Sequence, residues 1–334
     1  MRFPIVFLLC ISFAVGFFPT ENKIKPEKGF PIWLKDGSLR TDQTSGIAFI
    51  GSKASEKYFL LCDDIGDIFH LRLNNNKIKL EKIKLGEMVK KALRNYDKWD
   101  FEEIVYDPST KKVFLSIEGN GSNYLDEAEL FNLVFKDNDV FEDEIKEIVR
   151  VEFPEWKKLS EHFKPNIAFE GVAVSENKIF LGLEGTTLGE LFLDSTFLYV
   201  VDKNSLNIVR QISTKKLKIH TISGLYAESD FKLFGIDRNN RNLFVINFDE
   251  KYEIIESKIL PLDLHVPSDE NLHYVSALES ITMDNEKYIY AVDDPWKKFY
   301  IPPTEVLRRI KPSDAQNFKE FIPLLFKFNS NKVR

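Results

Sequence analysis

Five related hexapeptides carry a serine or a glutamate at their second position: Ser45 in TSGIAF, Glu102 in FEEIVY, Glu170 in FEGVAV, Ser223 in ISGLYA and Glu279 in LESITM. They recur at intervals of 53 to 68 residues, and each opens an apolar β-pattern. Glutamate is depleted in strands and is rarely buried without a partner, so its repetition at strand starts calls for a chemical reason. Repeats arranged about one axis would bring three carboxylates and two hydroxyls together. Uncompensated, two like charges about 4 Å apart repel by about 4 kcal/mol at an effective dielectric of about 20. A hard cation removes that repulsion. Ca2+ accepts six to eight oxygen ligands in flexible geometry and suits this donor set. The expectation is therefore a Ca2+ ring of Ser45, Glu102, Glu170, Ser223 and Glu279, as ligands or as neighbours of ligands. The alternative is that these residues begin strands and bond to backbone, with no metal.

A second set of acids ends the following apolar stretch of each repeat: Asp63 or Asp64 in YFLLCDD, Glu118 in KVFLSIEG, Glu184 in KIFLGLEG, Asp237 in KLFGIDR and Asp293 in YIYAVDD. An antiparallel second strand returns to the face where the first began, so these acids would ring the channel mouth. There they could hold metal-bound water, act as bases or cap turns. Basic and aromatic residues follow two of them: Arg238 and Arg241 in DRNNRN, and Trp296, Lys297 and Lys298 in DDPWKK. Arginine grips phosphate and carboxylate in a fork. A cation flanked by such residues would suit a small anionic substrate or ligand at the channel mouth, and a solvated loop with ordinary charges is the bland alternative.

The elements that must position these residues repeat with them. After the second stretch most repeats show a third apolar strand (DIFHLRL, ELFNLVF, TFLYVVD, NLFVINF) and a charged amphipathic fourth (KIKLEKIKL, EIKEIVRVEF, LNIVRQIST, YEIIESKIL). Four strands per repeat is the pattern of a propeller blade. The period exceeds that of common propeller repeats, and insertions at Gly86–Asp100, Phe153–Asn166 and Asp263–Ser276 absorb the excess. Two of these carry short helical patterns, EMVKKALRNY and PEWKKLSEHF. The last repeat lacks strands: a loop follows YIYAVDD, then FIPLLFKF closes the chain. The segment GFPIWLKDG, before the first repeat, can supply the missing outer strand and close the ring, which also removes exposed sheet edges. The fold class is all-β: a five-bladed β-propeller with short helical insertions, or six-bladed as the alternative.

Composition bounds the rest. The chain has 334 residues, 43% hydrophobic and 29% charged, with 29 Phe, 11 Tyr and only 15 Gly. That is globular, with a large aromatic core. A net charge of −6 without a basic run argues against a nucleic-acid partner. MRFPIVFLLCISFAVGFFPT reads as a secretory signal peptide, residues 1–17, cleaved near Gly16. A single propeller domain, 18–334, follows, exported to the periplasm or the medium and without stable membrane insertion. Too little apolar chain precedes Cys10 for a lipidation signal. Cys62 is then the only cysteine left, so a disulfide framework is excluded, and its apolar setting fits a small buried hydrophobe. The five histidines, His70, His162, His220, His265 and His273, are scattered and give no zinc spacing. No GxSxG, HExxH or glycine-rich phosphate loop occurs. Asn120 opens a glycosylation sequon, NGS.

The units FEGVAV…IFLGLEG, ISGLYAESDFKLFGIDRNNRNLFVINFD and ALESITMDNEKYIYAVDD, with the closing FIPLLFKF, resemble two groups of exported bacterial propellers. These are the phytase-like proteins (esterase-like activity of phytase) and the SdiA-regulated proteins. The likeness runs from about Trp33 to Phe328 and implies a propeller, export and Ca2+. The order Ser, Glu, Glu, Ser, Glu is similar to the calcium ring of calcium-activated nucleotidases (apyrases), and CDDIGDIFHL to their Asp-Asp turn. The other nucleotide-contacting motifs of that family are not visible in this chain. Two functions follow as expectations. One is a Ca2+-dependent hydrolase of a phosphoester, phosphoanhydride or related ester, in which Asp64, Glu184 or Asp293 orients or deprotonates water and Arg238 and Lys297 hold the anion. The other is a non-catalytic binding module pinned by a structural Ca2+.

Overall fold

The computed structural model describes residues 23–185, 195–274, 276–295 and 301–333. Five antiparallel sheets form the blades of a propeller. Blade 1 runs from the axis outward as Thr44–Lys53, Glu56–Asp63, Ile68–Asn74 and Lys77–Lys82. Blade 2 is Phe101–Asp107, Lys112–Ile117, Glu129–Phe135 and Glu144–Arg150, and a two-residue strand, Lys84–Leu85, pairs parallel with its rim. Blade 3 is Phe169–Val174, Lys178–Leu183, Phe197–Asp202 and Ile208–Ser213. Blade 4 is Gly224–Ser229, Lys232–Asp237, Asn242–Phe248 and Ile254–Pro261. Blade 5 is Ala277–Met283, Tyr288–Asp294 and Leu324–Asn329, completed by Ile32–Trp33 from the other end of the chain. Trp33 pairs with Leu324 and Ile32 with Leu325, so the ring closes on five blades and not six. The innermost strands pack in sequence around the axis, blade 5 against blade 1 included.

Burial follows the radial position of each strand. Blades stack face to face, so their middle strands are covered on both sides, and Phe59, Leu60, Leu61 and Cys62 are all fully buried in succession. The rim strand Lys77–Lys82 buries only Leu80 fully, and its charged residues meet solvent. The aromatic residues fill the wedges between blades. Phe59 of blade 1 meets Tyr290 of blade 5 edge-on at 4.8 Å, and Phe180 of blade 3 stacks on Phe248 of blade 4 at 6.1 Å. Each such side chain contributes about 1.5–3 kcal/mol through the area it removes from water. Cys62 lies in this core, where burial pushes its thiol well up and leaves it a small hydrophobe.

The first two insertions hold the short helices Glu87–Ala92 and Trp156–Leu159, and the third holds a hairpin, His265–Val266 with Asp269–His273. The expected loop between the second and third strands of blade 5 contains two helices instead, Thr304–Arg309 and Pro312–Lys319. Their role is to latch the closing strand. Phe318 is fully buried edge-on to Trp33 at 4.8 Å, and Trp33 Nε1 donates to Asp314 Oδ1 at 2.8 Å. The upper face of the disk is the one where first strands begin and second strands end. No helix among the described residues is long and apolar enough to cross a membrane. Residues 1–17, read from the sequence as a signal peptide, lie outside the described residues.

Candidate functional site

The five repeat positions share a backbone device. In blade 1, Thr44 pairs with Asp63 and Gly46 with Cys62, so Ser45 is an extra residue. Glu170 is skipped in the same way between Phe169 and Gly171, and Glu279 between Leu278 and Ser280. In blade 2, Glu102 and Glu103 together face Ser116. In blade 4, Ser223 stands just ahead of the first paired residue and donates its N–H to the carbonyl of Ile236 at 3.2 Å. A bulge of this kind re-aims a side chain at the end of a ladder. It explains how a glutamate can open a buried strand without entering the core.

The same register divides the second set of acids into two rings one residue apart. Asp63, Asp237 and Asp293 occupy the earlier position, where blades 2 and 3 have Ile117 and Leu183. They staple chain entering the blade. Asp63 accepts from the N–H of Asp42 at 2.9 Å, and Asp237 from the N–H of His220 at 3.0 Å. Asp293 accepts from the Tyr274 hydroxyl at 2.8 Å and from the N–H of Leu324 at 2.5 Å. Burial nonetheless pushes Asp293 up to about 7, against the pull of those hydrogen bonds. The next position holds Asp64, Glu118, Glu184, Arg238 and Asp294. One ring of five thus contains four carboxylates and one guanidinium.

Arg238 is the hub of this ring. Its Nη1 donates to both carboxylate oxygens of Glu279 at 2.5 Å, and its Nη2 pairs with Glu184 and lies 3.4 Å from Glu170 Oε2. Side chains from blades 3, 4 and 5 therefore meet at one cation, and those glutamates hold the guanidinium charged despite its burial. Glu170 Oε2 still lacks a hydrogen-bond donor. Glu102 lies on the other side, grouped with Asp100 and Glu118. Asp64 accepts from Gln43 Nε2 at 2.6 Å and from Lys98 Nζ at 3.3 Å, and Lys98 also binds Asp100 at 2.5 Å. The serines bind backbone: Ser45 Oγ donates to the carbonyl of Phe101 at 2.6 Å, and Ser223 Oγ to that of Leu278 at 2.7 Å. Each hydroxyl clasps its blade to the next. Lys297, with Trp296 and Lys298, lies outside the described residues.

Acids outnumber cations here, and the electrostatics show it. Burial raises Glu102, Glu118 and Glu170 well above the ordinary carboxylate range, and mutual repulsion adds to it. Glu279 is raised less because Arg238 opposes burial. Burial moves Asp64 up to about 7, with Lys98 opposing, and Asp294 is raised by burial and then by Glu279.

Directly beneath the bulges, the next residue of each inner strand is Gly46, Glu103, Gly171, Gly224 or Ser280. Glycine is required where blades converge: a Cβ on Gly46 would stand 2.7 Å from Ile104 N, and one on Gly224 2.6 Å from Ser280 Cα. Glu103 and Ser280 fill the space this leaves. The Ser280 hydroxyl donates to Glu103 Oε1 and accepts from the N–H of Ile47 at 3.0 Å. The Glu103 carboxyl, which burial raises well above its usual range, also accepts from the N–H of Ile104 at 3.2 Å through Oε1, and its Oε2 lacks a hydrogen-bond partner. One glutamate of blade 2 is thereby tied to blade 5 and, through Ser280, to blade 1 below the acidic face.

No protein-family model and no curated protein matches the chain. Solved structures do. A luciferin-regenerating enzyme is similar at a TM-score of 0.45 and 14% identity, over 79% of this chain and 73% of that one. A glucose dehydrogenase is similar at 0.46 and 9%, over 90% and 99%. The PQQ-bound aldose sugar dehydrogenase of Streptomyces coelicolor is similar at 0.45 and 9%, over 90% and 98%. At these identities the likeness concerns the propeller fold alone.

The donor set itself can be tested for a metal. Asp100, Glu102 and Glu118 each bring one carboxylate oxygen within 4.8 Å of the others, and so do Glu118, Glu170 and Glu184. Either triad could hold a metal ion. Neither contains sulfur or imidazole, and oxygen-only donors favour hard cations. Sequence reasoning missed Asp100, Glu103, Asp294 and Lys98, and it left Arg238 outside the ring. The signal was one residue away: KLFGIDR aligned on KIFLGLE and YIYAVDD puts Arg238 opposite Glu184 and Asp294.

Proposed function

We propose that this chain is an exported calcium-binding β-propeller that hydrolyses a phosphoester, phosphoanhydride or related ester at its acidic upper face. One observation carries the reading: Asp64, Asp100, Glu102, Glu118, Glu170, Glu184, Glu279 and Asp294 converge there against only Arg238 and Lys98 among the described residues. Asp100, Glu102, Glu118 and Glu170 would hold the ion. Ca2+ bound there would polarise a substrate oxygen and make water more acidic. Asp64 is placed on the same ring and is the group for accepting a proton from water. Glu184 is oriented for its part by Arg238. Arg238 can turn toward a substrate anion only by releasing a carboxylate, and its contact to Glu170 is its longest. Asp293 accepts from Tyr274 and Leu324, bonds that help fix blade 5 beside the site. The motif likeness to phytase-like, SdiA-regulated and calcium-activated nucleotidase propellers supports the phosphoester side of this reading, and the N-terminal sequence supports export.

The serine clasps favour a second reading, a binding module in which Ca2+ pins the blades. Ser45, Ser223 and Glu118, which accepts from the N–H of Ala168 at 2.9 Å, all bridge neighbouring blades. Metal analysis of the purified protein, with thermal melts in Ca2+ and in chelator, tests the ion. Assays with nucleotides, phytate and aryl esters test the chemistry. Asp64→Asn should keep the metal and lose turnover if the protein is a hydrolase. Bound Ca2+ with no turnover of any of these substrates leaves the pinned module, and a melt indifferent to chelator removes the ion altogether.

A further inference from the structure

A second charged feature stands beside the acid ring, on the same face. The loop after Arg238 carries Asn239, Asn240 and Arg241 to the rim of blade 4, where they line a pocket of about 270 Å3 with Lys23, His273 and an aliphatic wall of Pro261, Leu262 and Leu264. The loop is pinned. Asn240 Nδ2 donates to Asp237 Oδ2 at 2.8 Å and is bonded to His220 Nδ1 at 2.7 Å, and the N–H of Arg241 reaches the carbonyl of Arg238 at 3.1 Å. The opposite wall is anchored too: the N–H of Leu262 donates to the carbonyl of Arg241 at 3.0 Å, and the Asp263 N–H to that of Ile24 at 2.9 Å. His273 Nε2 is bonded to Asp263, which also lies 3.9 Å from Lys25 Nζ. Asp263 is thus spoken for, while the side chains of Lys23 and Arg241 meet no carboxylate among the described residues. In a chain of net charge −6 this pocket is locally cationic, because its lining includes Lys23 and Arg241 and no carboxylate.

We propose that this pocket is an oxyanion-binding site for a small phosphate monoester or carboxylate that carries an apolar body. Arg241 supplies the planar fork that matches such a head group, Lys23 and the Asn239 amide add donors, and Pro261, Leu262 and Leu264 cover the apolar part. The site does not depend on the ion at the upper face. It gives an anionic ligand a docking point that Arg238, engaged by three glutamates, does not offer.

The test is calorimetric titration of the full chain with phenyl phosphate and with inorganic phosphate, in chelator and low salt, so that the outcome is separable from the calcium reading. Phenyl phosphate should bind saturably at one site and more tightly than inorganic phosphate, because only it uses the aliphatic wall. Benzoate as a third probe separates carboxylate from phosphate preference. Arg241→Met should weaken phenyl phosphate binding about tenfold or more, as loss of a charge-assisted bond predicts, with an unchanged melt because the side chain has no carboxylate partner to lose among the described residues. Leu264→Ala should narrow the gap between phenyl phosphate and inorganic phosphate. Lys77→Met, on the rim of blade 1, should bind as the parent does. No saturable binding of any probe, or equal affinity in the parent and Arg241→Met, overturns the proposal.

Discussion

On the lower face of the disk, where first strands turn into second strands, carboxylates meet lysines. Lys203 of blade 3 reaches Asp107 of blade 2 at 3.0 Å, Lys287 of blade 5 reaches Glu228 of blade 4 at 3.0 Å, and Lys57 of blade 1 pairs with Asp284 of blade 5. Between blades 3 and 4 the clasp is neutral on one side: Asp230 accepts from Ser175 Oγ at 2.6 Å and Asn177 Nδ2 at 2.7 Å. Asp107, Asp230 and Glu228 are all held below the ordinary carboxylate range, because hydrogen bonds and lysines outweigh burial. On the upper face the balance reverses, and Glu102, Glu118 and Glu170 are pushed far up. Both faces join the same five blades. One is balanced by its own side chains, and the other has the charge deficit that a bound cation would fill.

The largest effect that could break this comparison is Arg238→Met. It would leave Glu170, Glu184 and Glu279 without their shared counterion, and removing one partner of a buried pair costs about 3–5 kcal/mol. Denaturant unfolding in chelator should show that loss, and saturating Ca2+ should restore part of it. Unchanged stability in chelator would mean the three acids are protonated and need no cation.

A pH dependence comes next. Asp64 and Asp293, each near 7 in the folded state, bind protons more tightly folded than unfolded. Between about pH 4 and 7 the folded chain therefore carries more protons, so metal-free stability should fall as pH rises through that window. The lower-face acids act in the opposite sense: their contribution is lost only as pH falls below about 4, through their depressed folded values. Melts of chelated protein should be highest near the acid end of the window, and a monotonic rise from pH 4 to 7 would contradict the upper-face assignment.

Lys203→Met should cost about 1–2 kcal/mol, since Asp107 keeps its bonds from Ser109 and Thr110. The loss should be the same with and without Ca2+, which separates the two faces directly. Smallest of all, Lys82→Ala breaks only an exposed pair with Asp67 and should shift stability by about 0.5 kcal/mol or less.

The blades were legible because the information for them is local. Alternating or continuous apolar runs, turn residues and spacing mark strands wherever they fall, and the unpaired GFPIWLKDG segment matched the missing rim strand of the last repeat. Ser45, Glu102, Glu170, Ser223 and Glu279 were legible as equivalent positions for the same reason. Which side chains share a ring was not, because side chains in a strand alternate faces and an error of one residue exchanges them. Asp63 and Asp64, or Asp293 and Asp294, cannot be told apart until pairing and bulge are known. Arg238 was hidden further, since it stands where the other repeats have an acid.

By itself, then, the sequence determined the four-strand repeat, the segment that could close the ring and the acidity of one face, all properties of repeated local pattern, and left five blades or six to the structure. Tertiary structure alone decided that Arg238 gathers Glu170, Glu184 and Glu279, that Glu103 and Ser280 meet below the acidic face, and that Asp100, Glu102 and Glu118 stand together. The first two groupings join residues from different blades, and only the closed ring brings them within a few ångströms, where charge interactions become strong; the third joins the two inner strands of blade 2 and depends on their pairing and bulge.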